Sequence, residues 1–149
     1  MRFPELPISP GGVDMQVAPS HRSHHFSLRV PFVDVDLGGV VYHANYLRWF
    51  DQARMEWYRA NGIDLAHMMA ELRTGLIVCR IETAFLSPAR HDEPLTIRTT
   101  LTELTRVRIA FLQEVYRDDT LLAKGRTGLA GVNLDTLRPV RISFAFRVE

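Results

Sequence analysis

The chain is poor in several things, and each shortage excludes a class. Its 149 residues include one cysteine, Cys79, so no disulfide can close within the chain. That fits a reducing compartment. Cys79 sits in an apolar, strand-like run, which predicts a buried and inert thiol. No stretch approaches the ~20 apolar residues of a membrane span. The amino-terminal segment carries Arg2, Glu5 and prolines at 4, 7 and 10 without a continuous apolar core, so it does not read as a secretory signal. These absences predict a cytoplasmic protein. Net charge is almost missing as well: 18 Lys and Arg against 17 Asp and Glu leave a formal +1. A nucleic-acid module would show a concentrated basic field. A small basic patch for a phosphate is still allowed.

What is present is ordinary for a soluble domain. Apolar residues make up 46% and charged residues 23%. The length predicts one domain, able to bury about two-thirds of the surface its unfolded chain exposes. Residues 1–22 are rich in Pro, Gly and Ser without periodicity and read as an arm outside the core, leaving 23–149 as the domain. The cluster His21-Arg22-Ser23-His24-His25 reads as a solvated strand entrance. No cysteine or carboxylate pair lies near it to complete a metal site.

Phe26 to Val35 alternates, with Phe26, Leu28, Val30 and Phe32 on one side, as a half-buried strand does. A helix is predicted from Tyr46 to Asn61. Tyr46, Trp49, Phe50, Ala53, Trp57 and Ala60 fall in an arc of about 100° at helical spacing, with Asn45 as its cap and Asn61-Gly62 as its end. A shorter helix is predicted from Asp64 to Arg73, capped by Asp64. From Leu76 the pattern turns to strands: Ile77, Cys79, Ile81 and Phe85; Leu95, Ile97, Thr99 and Leu101; Val107, Ile109, Phe111 and Val115. Asp118-Asp119 turns the chain into Leu121–Leu134, and 135–139 turn it towards a last extended segment over 140–148. Gly125, Gly128 and Gly131 in one strand imply close packing or bulges. One strand, two helices and then four long strands is an α+β pattern with antiparallel pairing. Only the aromatic helix can cover the apolar face of the sheet. The expectation is a curved antiparallel sheet of about five strands wrapped around one long central helix.

The chemistry concentrates between Val33 and Tyr46. A strand end, a glycine turn and a helix start place Asp36 close to the unpaired N–H groups of a helix N-terminus. Gly38-Gly39 lets the backbone turn tightly and leaves room for a substrate. A carboxylate facing an anion-stabilising pocket is what acyl transfer requires. The same Asp-x-Asp before Gly-Gly also serves as plain turn chemistry, since Asp accepts bonds from backbone N–H groups. Asp34, Asp36 and His43 have the ligand types for zinc or iron.

The run Asp34-x-Asp36-x-x-Gly39, followed by Gly39-Val40-Val41-Tyr42-His43 and Asn45-Tyr46, resembles the signature of the 4-hydroxybenzoyl-CoA thioesterase family, the YbgC-like acyl-CoA thioesterases of the hotdog fold. The resemblance covers about the last four-fifths of the chain and is strongest from Asp34 to Arg54. It implies a hotdog fold and hydrolysis of an acyl-CoA thioester, with an aromatic or short to medium acyl group. It implies Asp36 as nucleophile or general base, His43 as a main-chain oxyanion donor and Gly39 as the residue permitting close approach. Asp34 is implied to be structural. Tyr42, Asn45 and Tyr46 match as substrate-side positions, and Arg90, Arg106 and Arg108 are candidates for the CoA phosphates. No metal or cofactor is implied. The family's site lies between protomers, which implies a homodimer or homotetramer, with acyl carrier protein as an alternative acyl donor. Asp51 and Arg54 match in type and suggest an ion pair across the subunit contact. The competing readings are a hotdog hydratase, whose catalytic motif is not found, and a hotdog protein that binds acyl-CoA or acyl carrier protein without turnover.

Overall fold

The computed structural model describes residues 22–144. The arm expected over 1–22 thus lies outside the described residues except for Arg22, as do 145–149.

Among the described residues, five strands form one antiparallel sheet: β1 (Ser23–Arg29), β2 (Thr74–Phe85), β3 (Pro94–Leu104), β4 (Arg108–Arg117) and β5 (Thr120–Asn133), in the order β1-β3-β4-β5-β2. Between β1 and β2 come two helices, α1 (His43–Ala60) and α2 (Leu65–Ala70). The predicted hotdog architecture is what the chain adopts, with α1 across the sheet and α2 against β2.

β1 ends earlier than its alternation predicts. Pro31 lacks an N–H for the ladder and biases Val30 to extended backbone. Phe32–Asp34 then form a 3-10 turn. Phe32 is therefore exposed rather than on the buried side, while Val30 remains buried.

α1 starts at His43, not Tyr46, and its N-cap position is Tyr42 without a side-chain bond. Asn45 does not cap. It lies inside the first turn, and its Nδ2 donates to the Asp34 carbonyl at 3.0 Å. The helix ends as predicted: Asn61 is its C-cap, and Gly62 follows at φ +70°. Tyr46, Trp49, Phe50, Ala53 and Trp57 are buried, but Ala60 is exposed in the last turn. Burying each large ring contributes about 2–3 kcal/mol. Arg54 and Tyr58 join the buried face. Arg54 donates to Gln113 Oε1 at 3.0 Å and Thr127 Oγ1 at 3.3 Å, while Gln113 Nε2 donates to the Phe50 carbonyl at 2.8 Å. Burial pushes the Arg54 guanidinium down and the Tyr58 phenol up from their ordinary values. Arg54 also pairs with Asp51 of its own helix, at 3.2 Å.

α2 is shorter than predicted, but Asp64 does cap it, accepting from the His67 N–H at 3.0 Å. β2 carries a bulge between Val78 and Arg80. Cys79 is the extra residue there and is exposed, which overturns the expectation of a buried thiol. Two of the β5 glycines are packing sites. A Cβ on Gly125 would meet the Phe50 ring at 2.7 Å, and one on Gly131 would meet Ile142 at 2.7 Å and the Val140 carbonyl at 2.8 Å. The predicted last extended segment forms no strand over 140–144. It lies over the sheet, with Ile142 buried against Gly131 and its N–H on the Arg106 carbonyl.

Candidate active site

The Asp36 turn is built by backbone bonds. The Asp36 N–H donates to the Val40 carbonyl at 2.9 Å and the Gly39 N–H to the Asp36 carbonyl at 3.0 Å. Val35 and Val41 bridge across its base. Gly39 has φ +76°, a conformation L side chains rarely adopt, so its glycine is required by geometry. The space where its Cβ would project is open. The Asp36 carboxylate is exposed, with Oδ1 accepting from the Gly38 N–H at 2.7 Å.

Asp34 fixes this turn to the helix. It is 3% exposed, and its carboxylate accepts from Arg48 and from the Trp49 indole, the latter at 2.9 Å. Its carbonyl accepts from the Tyr42 N–H and from Asn45, both at 3.0 Å. One residue thus ties the segment before the turn to the first two turns of α1. The helix consequently opens beside Asp36. Among the described residues, no acceptor meets the His43 N–H. A carboxylate and an open helix N-terminus therefore stand within the same short loop.

The other sequence candidates are dispersed. Tyr42 is exposed at the helix start, its ring 4.5 Å from the His43 imidazole. Tyr46 is buried beneath, and burial raises its phenol above the usual range. Arg90 is exposed on the loop whose Ala89 carbonyl accepts from the Val41 N–H at 2.8 Å, so it belongs to this end of the sheet. Arg106 and Arg108 do not. They flank the β3–β4 turn, and β1 pairing with β3 (Arg29 opposite Pro94, Ser23 opposite Thr100) puts that turn at the far end from Asp36. Among the described residues, no group of three or more His, Cys, Asp or Glu side chains could hold a metal ion.

Sequence reasoning overlooked Phe85. Its ring is edge-on to His43 at 6.2 Å and to Tyr46 at 5.2 Å. The available signal was its strand phase with Ile81, two alternations earlier. Arg48 and Trp49 as partners of Asp34 left no such signal, because a contact across 14 or 15 residues requires the turn's geometry.

A curved antiparallel sheet around a helix is the hotdog architecture. The sequence pattern of the thioesterase-like superfamily matches residues 30–147. The chain belongs to that superfamily, the hydrolases of thioesters. It is 32% identical to the acyl-CoA thioesterase YbgC of Haemophilus influenzae over 115 residues, 77% of this chain and 85% of the relative. A probable thioesterase from Bartonella henselae superposes with a TM-score of 0.77 at 30% identity, covering 81% of this chain and 99% of that one. The 4-hydroxybenzoyl CoA thioesterase from Pseudomonas sp. strain CBS-3 shares the fold, with a TM-score of 0.76 at 24% identity over 82% of this chain and 94% of its own.

Proposed function

We propose that this protein hydrolyses acyl-CoA thioesters, with Asp36 as the reacting carboxylate and the His43 N–H as an oxyanion donor. The observation that carries this reading is an exposed Asp36 carboxylate and an unoccupied His43 N–H on the same turn leading into α1. A helix N-terminus is aimed at negative charge, and the oxygen of a thioester carbonyl gains that charge during attack. The similarity to acyl-CoA thioesterase YbgC supports CoA as the thiol.

Two routes fit. In one, the Asp36 carboxylate attacks the carbonyl carbon, the thiolate leaves and is protonated, and water cleaves the resulting anhydride. In the other, Asp36 removes a proton from a water whose oxygen attacks, and the tetrahedral intermediate expels the thiolate. Gly39 keeps the approach open. The His43 imidazole, in the first turn of α1, is the proton source for the leaving thiolate in this reading.

We assign the complete site to two copies of the chain. The outer edge of β2 is 12 residues long and exposes Ile77, Val78, Ile81 and Phe85. A long apolar edge is a template for another strand. Arg90 then serves a substrate bound at its own turn. Arg106 and Arg108 serve one bound to the second copy, since they stand at the far end of their own sheet.

Free-thiol detection over a panel of acyl-CoA and acyl-carrier-protein esters tests the reading. Asp36→Ala should lose about 10²–10³-fold in turnover, the usual scale for a key group in such a site. Turnover within tenfold of the parent refutes the assignment. A parent that binds these esters but releases no thiol makes the protein a carrier-binding hotdog instead. A single turnover in ¹⁸O-water with hydroxylamine trapping separates the routes. Unlabelled acid in that first turnover, or a hydroxamate formed at Asp36 or on the acyl group only while the Asp36 carboxylate is present, means attack by Asp36; labelled acid with no trapped anhydride means attack by water.

A further inference from the structure

α1 lies against β1 and β3 and α2 against β2, while the end of β2 meets α1 through Phe85, whose ring faces His43 and Tyr46. Strand register sets Ile81 opposite Thr127, Thr83 opposite Gly125 and Phe85 opposite Ala123. Those β5 residues are buried on the helix-facing side of the sheet. Ile81 and Phe85 therefore point to the same side, yet they remain 40% and 49% exposed. On the helix, Leu47 lies one turn beyond His43, on the same face, and is also exposed. Leu47, Ile81 and Phe85 are thus exposed apolar side chains near the start of α1 and along the helix-facing side of β2. Of these, Phe85 presents its ring edge-on to His43. Its ring meets Tyr46 at 5.2 Å and His43 at 6.2 Å, both edge-on, and half of the residue stays exposed.

We propose that Phe85 is a specificity-determining residue: its ring forms the wall next to the thioester carbonyl and restricts the site to compact acyl groups. This rests on the thioesterase reading above. An acyl chain leaving the carbonyl held by His43 runs past Phe85, whose ring leans on Tyr46 and faces His43. Bulk is therefore limited by the position of this ring beside the carbonyl.

The test compares kcat/KM for acetyl-, butyryl-, benzoyl- and octanoyl-CoA in the parent, Phe85→Ala and Phe85→Trp proteins. One methylene in an apolar pocket changes selectivity by about tenfold or more. Phe85→Ala should raise the octanoyl-to-butyryl ratio about tenfold, and Phe85→Trp should lower it. Ratios within twofold of the parent in both variants, with the parent active, overturn the role of Phe85 and leave the thioesterase reading standing. A parent inactive on all four esters overturns the thioesterase reading and this inference with it. The ring is half exposed, so neither variant removes a core side chain, and the two substitutions act in opposite directions.

Discussion

Asp34 and Asp36 are two residues apart and have opposite surroundings. Asp34 is inside, held by Arg48 and Trp49; Asp36 is outside, its carboxylate accepting from the Gly38 N–H. A buried carboxylate is tolerated only when donors surround it. Trp49→Phe removes the indole N–H and little else, leaving Asp34 one donor short. It should cost about 1.5–3 kcal/mol, the worth of a hydrogen bond to a charged group. A urea midpoint reads that loss. Turnover should fall as well, because Asp34 anchors the turn that carries Asp36. A Trp49→Phe protein with unchanged midpoint and unchanged turnover would show that Arg48 holds Asp34 unaided.

At the scale of elements, contact between helix and sheet depends on missing side chains as much as on present ones. The Phe50 ring occupies the place of a Gly125 side chain. Gly125→Ala should destabilise by about 1–3 kcal/mol through overpacking. Adding Phe50→Leu should recover part of that, and additive losses in the double variant would dissociate the two residues. A second link joins the start of β2 to the turn after β5. Arg73 donates to Asp135 at 2.7 Å, and this bond holds the Asp135 carboxyl below its ordinary value. A depressed folded-state value means the stabilisation is present above the unfolded pKa of about 3.9 and lost as pH falls through the lower folded one. The melting temperature of Asp135→Asn should therefore lie slightly below the parent's at pH 6 and converge with it near the acid end of the titration. A gap that persists unchanged at the lowest pH at which both fold would mean the bond is not its source.

For the whole molecule, the deciding feature is an edge. β1 is the other edge strand and is short, 7 residues against 12 in β2. The exposed apolar residues of β2 predict association through this strand. Sedimentation should give a dimer or a tetramer, and Ile77→Lys with Ile81→Lys should shift it towards the monomer while circular dichroism keeps the fold. Oligomers that survive both lysines would place the contact elsewhere. Among the described residues, no helix is long and apolar enough to cross a membrane.

The sequence by itself determined the α+β class, the central aromatic helix and the Asp36 turn, because these rest on local periodicity and on the dihedral freedom of Gly39. The stripe from Tyr46 to Trp57 could bury only one way, and Asp64 could be recognised as a cap from its neighbours alone. Tertiary structure decided the remainder. The bulge at Cys79 flips the phase of β2 and turns a supposed core thiol outward, which no alternation reveals. Asn45 leaves its capping position because the Asp34 carbonyl is nearer in space than in sequence. Arg106 and Arg108 are phosphate candidates by their position at strand ends, and antiparallel pairing sets them at the end of their own sheet away from Asp36. Contacts that close only after the chain has turned back on itself depend on register, and register is a property of the assembled sheet.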